Sequence, residues 1–233
     1  MKKILSFVIA SSFAAASYCT FGIFTSQEDS MKVGFGLGTS MQMPDKTFGL
    51  GSMGPQLSFA QYLAYDLDYG VYVNADYASF RHNLFTESGK NDSGFRLHTE
   101  SMIRYLPELD ENLFFGGLFS LSWQRQFGQA ASDFYKNVSF GDLGFSIGPD
   151  FMMNINTDLY TYSSLLFTMN AIRFGSQNKE DSHLMGTKLT LGLGFAVANN
   201  ILMYTELDPS INNFKKPAQS FGVDLNLGIS MAL

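Results

Sequence analysis

Apolar and polar residues alternate along most of the chain after its first thirty positions. In the closing stretch every second residue from Phe221 to Leu233 is apolar, and the residues between are small or polar. The same period of two runs through 95–106, 113–127, 143–155 and 189–197. This spacing predicts β-strands with one apolar and one polar face. The pattern is less clean over 160–174 and ambiguous over 58–67.

Nine turn-rich stretches separate these alternating runs, and long ones alternate with short ones. The long separators are 43–54, 81–94, 128–137, 175–186 and 210–219, and the short ones are 65–70, 107–112, 154–159 and 197–201. Nine separators predict ten strands. Eight strands are the alternative, in which the region 31–67 has been divided too finely.

The strand length and the connections favour a barrel over a soluble β-sandwich. The runs are about 10 to 15 residues long, whereas sandwich strands are usually about 5 to 6. Short turns that alternate with longer loops are typical of outer-membrane barrels. Strands can cross lipid only as a closed barrel, because each backbone polar group must be satisfied internally. We therefore predict an all-β, closed antiparallel transmembrane barrel of ten strands over residues 31–233.

The N-terminus has the pattern of a cleavable signal peptide over residues 1–16. Lys2 and Lys3 precede an apolar core at 4–13, and the small residues 14–16 follow it as a cleavage site. The apolar core is too short for a membrane anchor, which needs about 20 residues. Residues 17–30 are then an N-terminal periplasmic segment. Cys19 is the only cysteine, so no intramolecular disulfide can form, and the bulky Tyr18 before it argues against a lipoprotein.

Composition agrees with an exported membrane barrel. Aromatic residues make up 15% of the chain and charged residues also only 15%, which is low for a soluble domain. The formal net charge of −6 argues against nucleic acid as a partner.

On these patterns the chain resembles small bacterial outer-membrane β-barrels of the OmpA/OmpW-like type over residues 31–233. Its last strand is similar to the assembly signal that such proteins present to the barrel-assembly machinery, although families usually close on Phe or Trp and this chain closes on Leu. The resemblance implies a place in the bacterial outer membrane, with outer-membrane lipid, lipopolysaccharide and the barrel-assembly machinery as partners. The predicted assembly signal consists of Phe221, Val223, Leu225, Leu227, Ile229, Met231 and Leu233.

The polar strand faces predict charged side chains in the lumen. Barrels of about eight strands are just filled by side chains, and water-filled channels appear at about sixteen. A structural plug is therefore expected, with a narrow or ligand-holding lumen as the alternative. The predicted lumen polar network comprises Asp76, Arg96, His98, Glu100, Arg104, Asp150, Lys188, Glu206 and Asp224, and the same face reading adds Lys32 and Asp208.

Two classes of function stay open from the residues alone. The first is a structural or envelope role, surface contact, or narrow passage of small solutes. The alternative is a surface hydrolase similar to omptin-like proteases or lipid A deacylases, since His98 and Glu100 lie two apart on one strand face and His82 and His183 are predicted near the outer rim. The three histidines are not spaced as metal ligands. We therefore assign no catalytic, cofactor-binding or metal-binding residue and expect no cofactor.

Two arginines fall on the predicted lipid-facing side. Arg125 and Arg173 each lie at the outer end of a strand, where a charge costs little because the membrane interface is close. Contact with lipopolysaccharide phosphates is the expected role.

Overall fold

The computed structural model describes residues 31–45, 48–64, 66–82, 91–127, 141–174, 184–198, 200–212 and 220–233. These residues form eleven β-strands. Ten are long: β1 (Met31–Asp45), β2 (Phe48–Ala64), β3 (Leu67–His82), β4 (Asn91–Tyr105), β6 (Leu113–Phe127), β7 (Gly141–Asn154), β8 (Leu159–Phe174), β9 (Leu184–Ala198), β10 (Ile201–Asn212) and β11 (Ser220–Ala232). The eleventh, β5 (Glu108–Asp110), is a three-residue strand between β4 and β6.

The ten long strands close into an antiparallel barrel. Each pairs with its neighbours in chain order, β4 pairs directly with β6, and β1 pairs with β11. The prediction of a ten-stranded closed barrel is therefore confirmed, and the eight-stranded alternative is wrong. The short β5 adds only to the edge of β6, at Glu108 and Asp110.

The closing seam between the first and last strands is continuous. Its register runs without a break from Lys32 opposite Ala232 to Met43 opposite Phe221. The backbone N–H of Leu233 donates to the carbonyl of Met31 at 2.9 Å. Met31 and Leu233 thus lie at the same end of the barrel. The connections at 65–66, 106–112, 155–158 and 199–200 lie at this end too, and we call it the turn end. The opposite end is the loop end.

The two faces of each strand differ as the alternation predicts. Large apolar side chains cover the outside, with Phe35 exposed to 63% and Leu37 to 55%, while their neighbours on β1 point inward. An apolar belt of this kind is what a barrel presents to lipid. The described part of the chain contains no helix long and apolar enough to cross a membrane.

Several predicted loops are shorter in the structure because the strands extend into them. The stretch 43–54 is largely strand: β1 ends at Asp45 and β2 begins at Phe48. The Pro and Gly residues that suggested a long loop are accommodated in strands, since Pro44 lies where the β1–β2 register shifts, as expected of proline at a bulge. The strands likewise take the ends of the predicted loops 81–94, 175–186 and 210–219.

Three prolines lie inside strands and interrupt the pairing on one side only. Pro55 still pairs with Leu37, Pro149 with Gly117 and Pro209 with Val223. On the other side, pairs are missing between β2 and β3, β7 and β8, and β9 and β10, although the register continues in step. The cause is the missing N–H of proline, which cannot donate to a ladder.

Glycine accompanies two of these prolines. The carbonyls of Ala75 and Leu165, which the registers place opposite Pro55 and Pro149, lie where a Cβ on Gly54 or Gly148 would be. The Gly-Pro pair therefore lets the neighbouring strand approach closely at the point where a hydrogen bond is lost.

The predicted signal peptide, the segment 17–30 and His183 lie outside the described residues. The strand that ends in His82 is described, but the side chains of His82 and Arg173 are not.

Candidate functional site

The lumen is where the barrel gathers its polar chemistry. The structure places all nine residues of the predicted lumen network on inward faces, each exposed to 3% or less. They come from β3, β4, β7, β9, β10 and β11, because inward positions recur at every second residue of each strand. Contacts divide the charged side chains into two clusters.

The turn-end cluster consists of Lys32, Asp68, Arg104 and Asp150. Arg104 on β4 donates to Asp68 on β3, with Nη2 and Oδ2 3.2 Å apart, and its Nε lies 3.7 Å from Oδ2 of Asp150 on β7. Lys32 on β1 lies within electrostatic range of Asp68 and Arg104. Two bases thus face two acids, and this cluster is balanced.

The central cluster lies beyond it, towards the loop end. We define it as Asp76, Arg96, Glu100, Lys188, Glu206, Asp208 and Asp224. Arg96 pairs with Asp76, and Ser52 hydrogen-bonds to both. Arg96 also acts electrostatically on Asp224, so the two parts of the cluster are neighbours.

Lys188 is the second base of the central cluster. Its Nζ lies 3.3 Å from Oδ2 of Asp208, and it is within electrostatic range of Glu100 and Asp224. One ammonium therefore faces three carboxylates. Asp224 also accepts a hydrogen bond from Ser40, with the oxygens 2.6 Å apart.

Amide and phenol groups bind the remaining carboxylates of the central cluster. Asn226 Nδ2 donates to Asp208 at 3.1 Å and lies 3.4 Å from Glu206. The amide of Gln56 donates to Asn226 at 2.7 Å, and the hydroxyl of Tyr162 donates to Glu206 at 2.7 Å. These bonds join β2, β8, β10 and β11 across the lumen.

The charges of the lumen are unequal between the two clusters. The central cluster has five carboxylates and two bases, all buried, whereas the turn-end cluster has two of each. The central cluster therefore has a surplus of three carboxylates. Buried charges without partners are costly, so the surplus marks the central cluster as the unusual part of the lumen.

The middle of the lumen is filled by side chains. Arg104, Tyr72, Tyr162 and Lys188 are the largest of the fully buried residues. In a water-filled pore such inward side chains would be accessible to solvent. The described part of the barrel is therefore closed between its two ends, as expected near the lower limit of barrel size.

A cavity of about 580 Å³ lies at the turn end. Lys32, Met152 and Tyr160 are among the residues at its inner side, and turn residues such as Asn112 and Asn200 line its outer side. We call it the vestibule. The turn-end cluster separates it from the central cluster.

Among the side chains that the structure describes, histidines and carboxylates do not form an open catalytic cleft. His98 Nε2 lies 3.7 Å from Oε2 of Glu100, but both side chains are buried, and the ring of His98 stacks edge-on with Tyr72 at 5.8 Å. Among the side chains that the structure describes, no histidine pairs with a carboxylate at a rim. No three His, Cys, Asp or Glu side chains of the described residues are placed to hold a metal ion.

Sequence reasoning missed part of the lumen. Asp68 was assigned to the separator 65–70, although it continues the inward positions 72, 74 and 76 of β3. The apolar inward residues were also missed, because the polar-in pattern of barrels was applied too strictly. They are Phe114, Leu118 and Leu166.

The last strand and Arg125 lie on the outside. The six residues at alternate positions from Phe221 to Met231 point outward on β11, and Leu233 follows the strand with 65% exposure. Arg125 is exposed and lies opposite Leu97 and Gly141, near the loop end of β6.

Comparison with solved structures finds barrels of the outer membrane. An outer membrane channel from Pseudomonas putida F1 matches with a TM-score of 0.54, covering 93% of this chain and 100% of that chain at 8% identity. The outer membrane protease OmpT from Escherichia coli matches with a TM-score of 0.48 over 90% and 99% of the two chains, also at 8% identity. OprG, an outer membrane protein from Pseudomonas aeruginosa, has a TM-score of 0.41 over 88% and 96% at 8% identity.

Likeness at such low identity concerns the fold alone. The chain has the fold of bacterial outer-membrane β-barrels. No family model matches the chain, and no curated protein matches it.

Proposed function

We propose that this protein is a non-enzymatic barrel of the bacterial outer membrane with a structural role in the envelope and, at most, a narrow passage for small solutes. A signal peptide exports it, the barrel-assembly machinery inserts it, and the turn end faces the periplasm. Lipid contacts its apolar belt, and Arg125, which is exposed near the loop end of β6, binds lipopolysaccharide phosphates.

One observation supports this proposal above the others: the lumen is filled. Arg104 and Lys188 are 1% and 2% exposed, respectively, and a solute of more than a few atoms has no path past them. The buried polar groups rigidify the barrel when they are hydrogen-bonded to one another. Such an interior suits a protein that spans the membrane without making a wide hole in it.

The test is the conductance of the purified protein in planar lipid bilayers. We expect current steps that are absent or far smaller than those of a general porin. Arg104→Ser should increase the current, because it removes the longest side chain of the turn-end cluster. Tyr105→Ser is the matched control, since Tyr105 is the next residue on β4 and points outward. Large, stable steps in the unsubstituted protein would refute the closed lumen.

A further inference from the structure

The vestibule is bounded by the first and last strands of the barrel, close to their ends. Lys32, the second residue of β1, and Ala232, its partner on β11, both line the cavity. The backbone N–H of Leu233 donates to the carbonyl of Met31 at the same end. The chain that precedes Met31 is therefore joined to the barrel directly beside the vestibule.

The wall of the vestibule has apolar surface that the described strands leave uncovered. Met152 is buried at the inner side, whereas Ala196, Leu202 and Ala232 occupy inward positions and are only partly buried. Pockets for ligands have volumes of about 300 to 1,000 Å³, and the vestibule, at about 580 Å³, falls within that range. Apolar surface in a cavity of this size favours an occupant with apolar side chains.

The segment 17–30 has two parts of different composition. Residues 17–24 (SYCTFGIF) include two phenylalanines, a tyrosine and an isoleucine and have no charged side chain, whereas residues 25–30 (TSQEDS) are all polar. A segment this short buries too little surface to fold alone. Its apolar side chains therefore need the surface of another element in order to leave water.

We propose that residues 17–24 of the mature chain dock in the vestibule, with residues 25–30 as their tether. The proposal rests on the export and cleavage included in the proposed function, because in an uncleaved chain the docking segment would continue into residues 1–16. It goes beyond that function by assigning an occupant to the cavity at the turn end.

The tether has the length that docking requires. Six extended residues span about 20 Å, which is enough to turn back from Met31 into a cavity whose wall begins at Lys32. A short flexible tether also gives the attached segment an effective concentration on the order of millimolar. Weak apolar contacts are therefore sufficient for the segment to dock, whereas a separate peptide of equal affinity would have to be present at that concentration.

The single cysteine of the chain, Cys19, lies in the docking segment and can report on its position. Ala196→Cys places a second thiol at an inward position in the wall of the vestibule. Val197→Cys is the matched control, because Val197 is the next residue of β9 and points outward with 57% exposure. In the purified mature protein, a short bismaleimide should join Cys19 to the thiol at position 196 about ten times more often than to that at position 197.

Alkylation of Cys19 in the unsubstituted chain gives an independent measurement. We expect a maleimide to react about tenfold more slowly with the folded barrel than with a synthetic peptide of residues 17–30. Ala196→Trp, whose side chain would fill part of the vestibule, should restore most of the rate, and Val197→Trp should not. Heat-modifiable migration on gels shows whether each variant is folded.

Equal yields of cross-linking at the two positions, or alkylation of the folded chain as fast as that of the peptide, would overturn the docking. The mass of the purified chain separates this result from a failure of the proposed export. A chain that begins near residue 17 and fails both measurements refutes the docking alone. A chain that retains residues 1–16 refutes the export and the docking together.

Discussion

The ring of Tyr162 lies over Gly192, the residue directly opposite it on the next strand. A Cβ on Gly192 would fall inside this ring. Tyr160 lies in the same way over Gly194, and Tyr204 over Gly228. Tyrosine side chains on β8 and β10 thus fill the space that glycines on β9 and β11 leave free, a form of aromatic rescue of glycine in sheets.

Gly192→Val is expected to destabilise the barrel by about 1 to 3 kcal/mol, the usual cost of inserting atoms into a packed interior. The measurement is the free energy of unfolding in urea with the protein in detergent or lipid. Combined with Tyr162→Ala in the same chain, Gly192→Val should cost less than it does alone, so that the two losses add to less than their sum, since the ring that the new side chain meets is gone. Gly117→Ala is the control, because its Cβ would lie 3.6 Å from the nearest atom, the carbonyl of Gly148. A Gly192→Val protein as stable as this control would contradict the packing described.

Arg104→Met should destabilise the barrel by about 3 to 5 kcal/mol, as expected when one partner of a buried ion pair is removed. The reason is that Asp68 and Asp150 would both lose their guanidinium partner. Urea unfolding of Arg104→Met and of Tyr105→Ser, the outward neighbour, should separate the two by most of this amount. Similar stabilities would show that the turn-end cluster contributes little to folding.

The end of the chain offers a third prediction, about assembly. Leu233→Asp should reduce the fraction of protein that reaches the outer membrane in a heat-modifiable form, whereas Leu233→Phe should preserve or increase it. Leu233 is exposed beside Met31 at the closing seam, where a charge meets lipid and an aromatic residue suits the interface. Equal assembly of both variants would mean that the last residue plays no part in recognition by the assembly machinery.

Protease treatment of intact cells tests the orientation. We expect cleavage in the connection between β3 and β4 or in that between β8 and β9, both at the loop end. The turn that contains β5 should be spared, because in the proposed orientation it faces the periplasm. Cleavage there in intact cells, with the loop-end connections uncut, would reverse the orientation.

The alternation of side chains was sufficient to predict the barrel, because lipid outside and a polar lumen inside impose opposite preferences on neighbouring residues. It predicted the inward positions of Arg96 and Asp224 for that reason. It failed where the lumen itself is apolar or aromatic, as at Leu166 and Tyr162. These side chains are inward because of packing against glycine and against each other, which leaves no mark on a two-residue period.

The boundaries of strands were harder to predict than their number. Gly54 was taken as the last residue of the loop 43–54, because glycine is typical of turns. In the structure it lies inside β2 beside Pro55, where the glycine makes room for a carbonyl that the proline cannot bind. Pairing with the neighbouring strands therefore outweighed the local turn preference of glycine. The contacts within the lumen could not be predicted either, since they join residues such as Ser40 and Asp224 that lie 184 positions apart.

The three interrupted seams at Pro55, Pro149 and Pro209 divide the wall of the barrel into panels. One panel runs from β3 to β7, a second consists of β8 and β9, and a third runs from β10 through β11 and β1 to β2. Within a panel the strands pair with one another, and between panels residue pairs are missing next to the proline. Thermal deformation of the cross-section should therefore concentrate at these three lines, so that the cylinder flexes as three stiff plates with hinges.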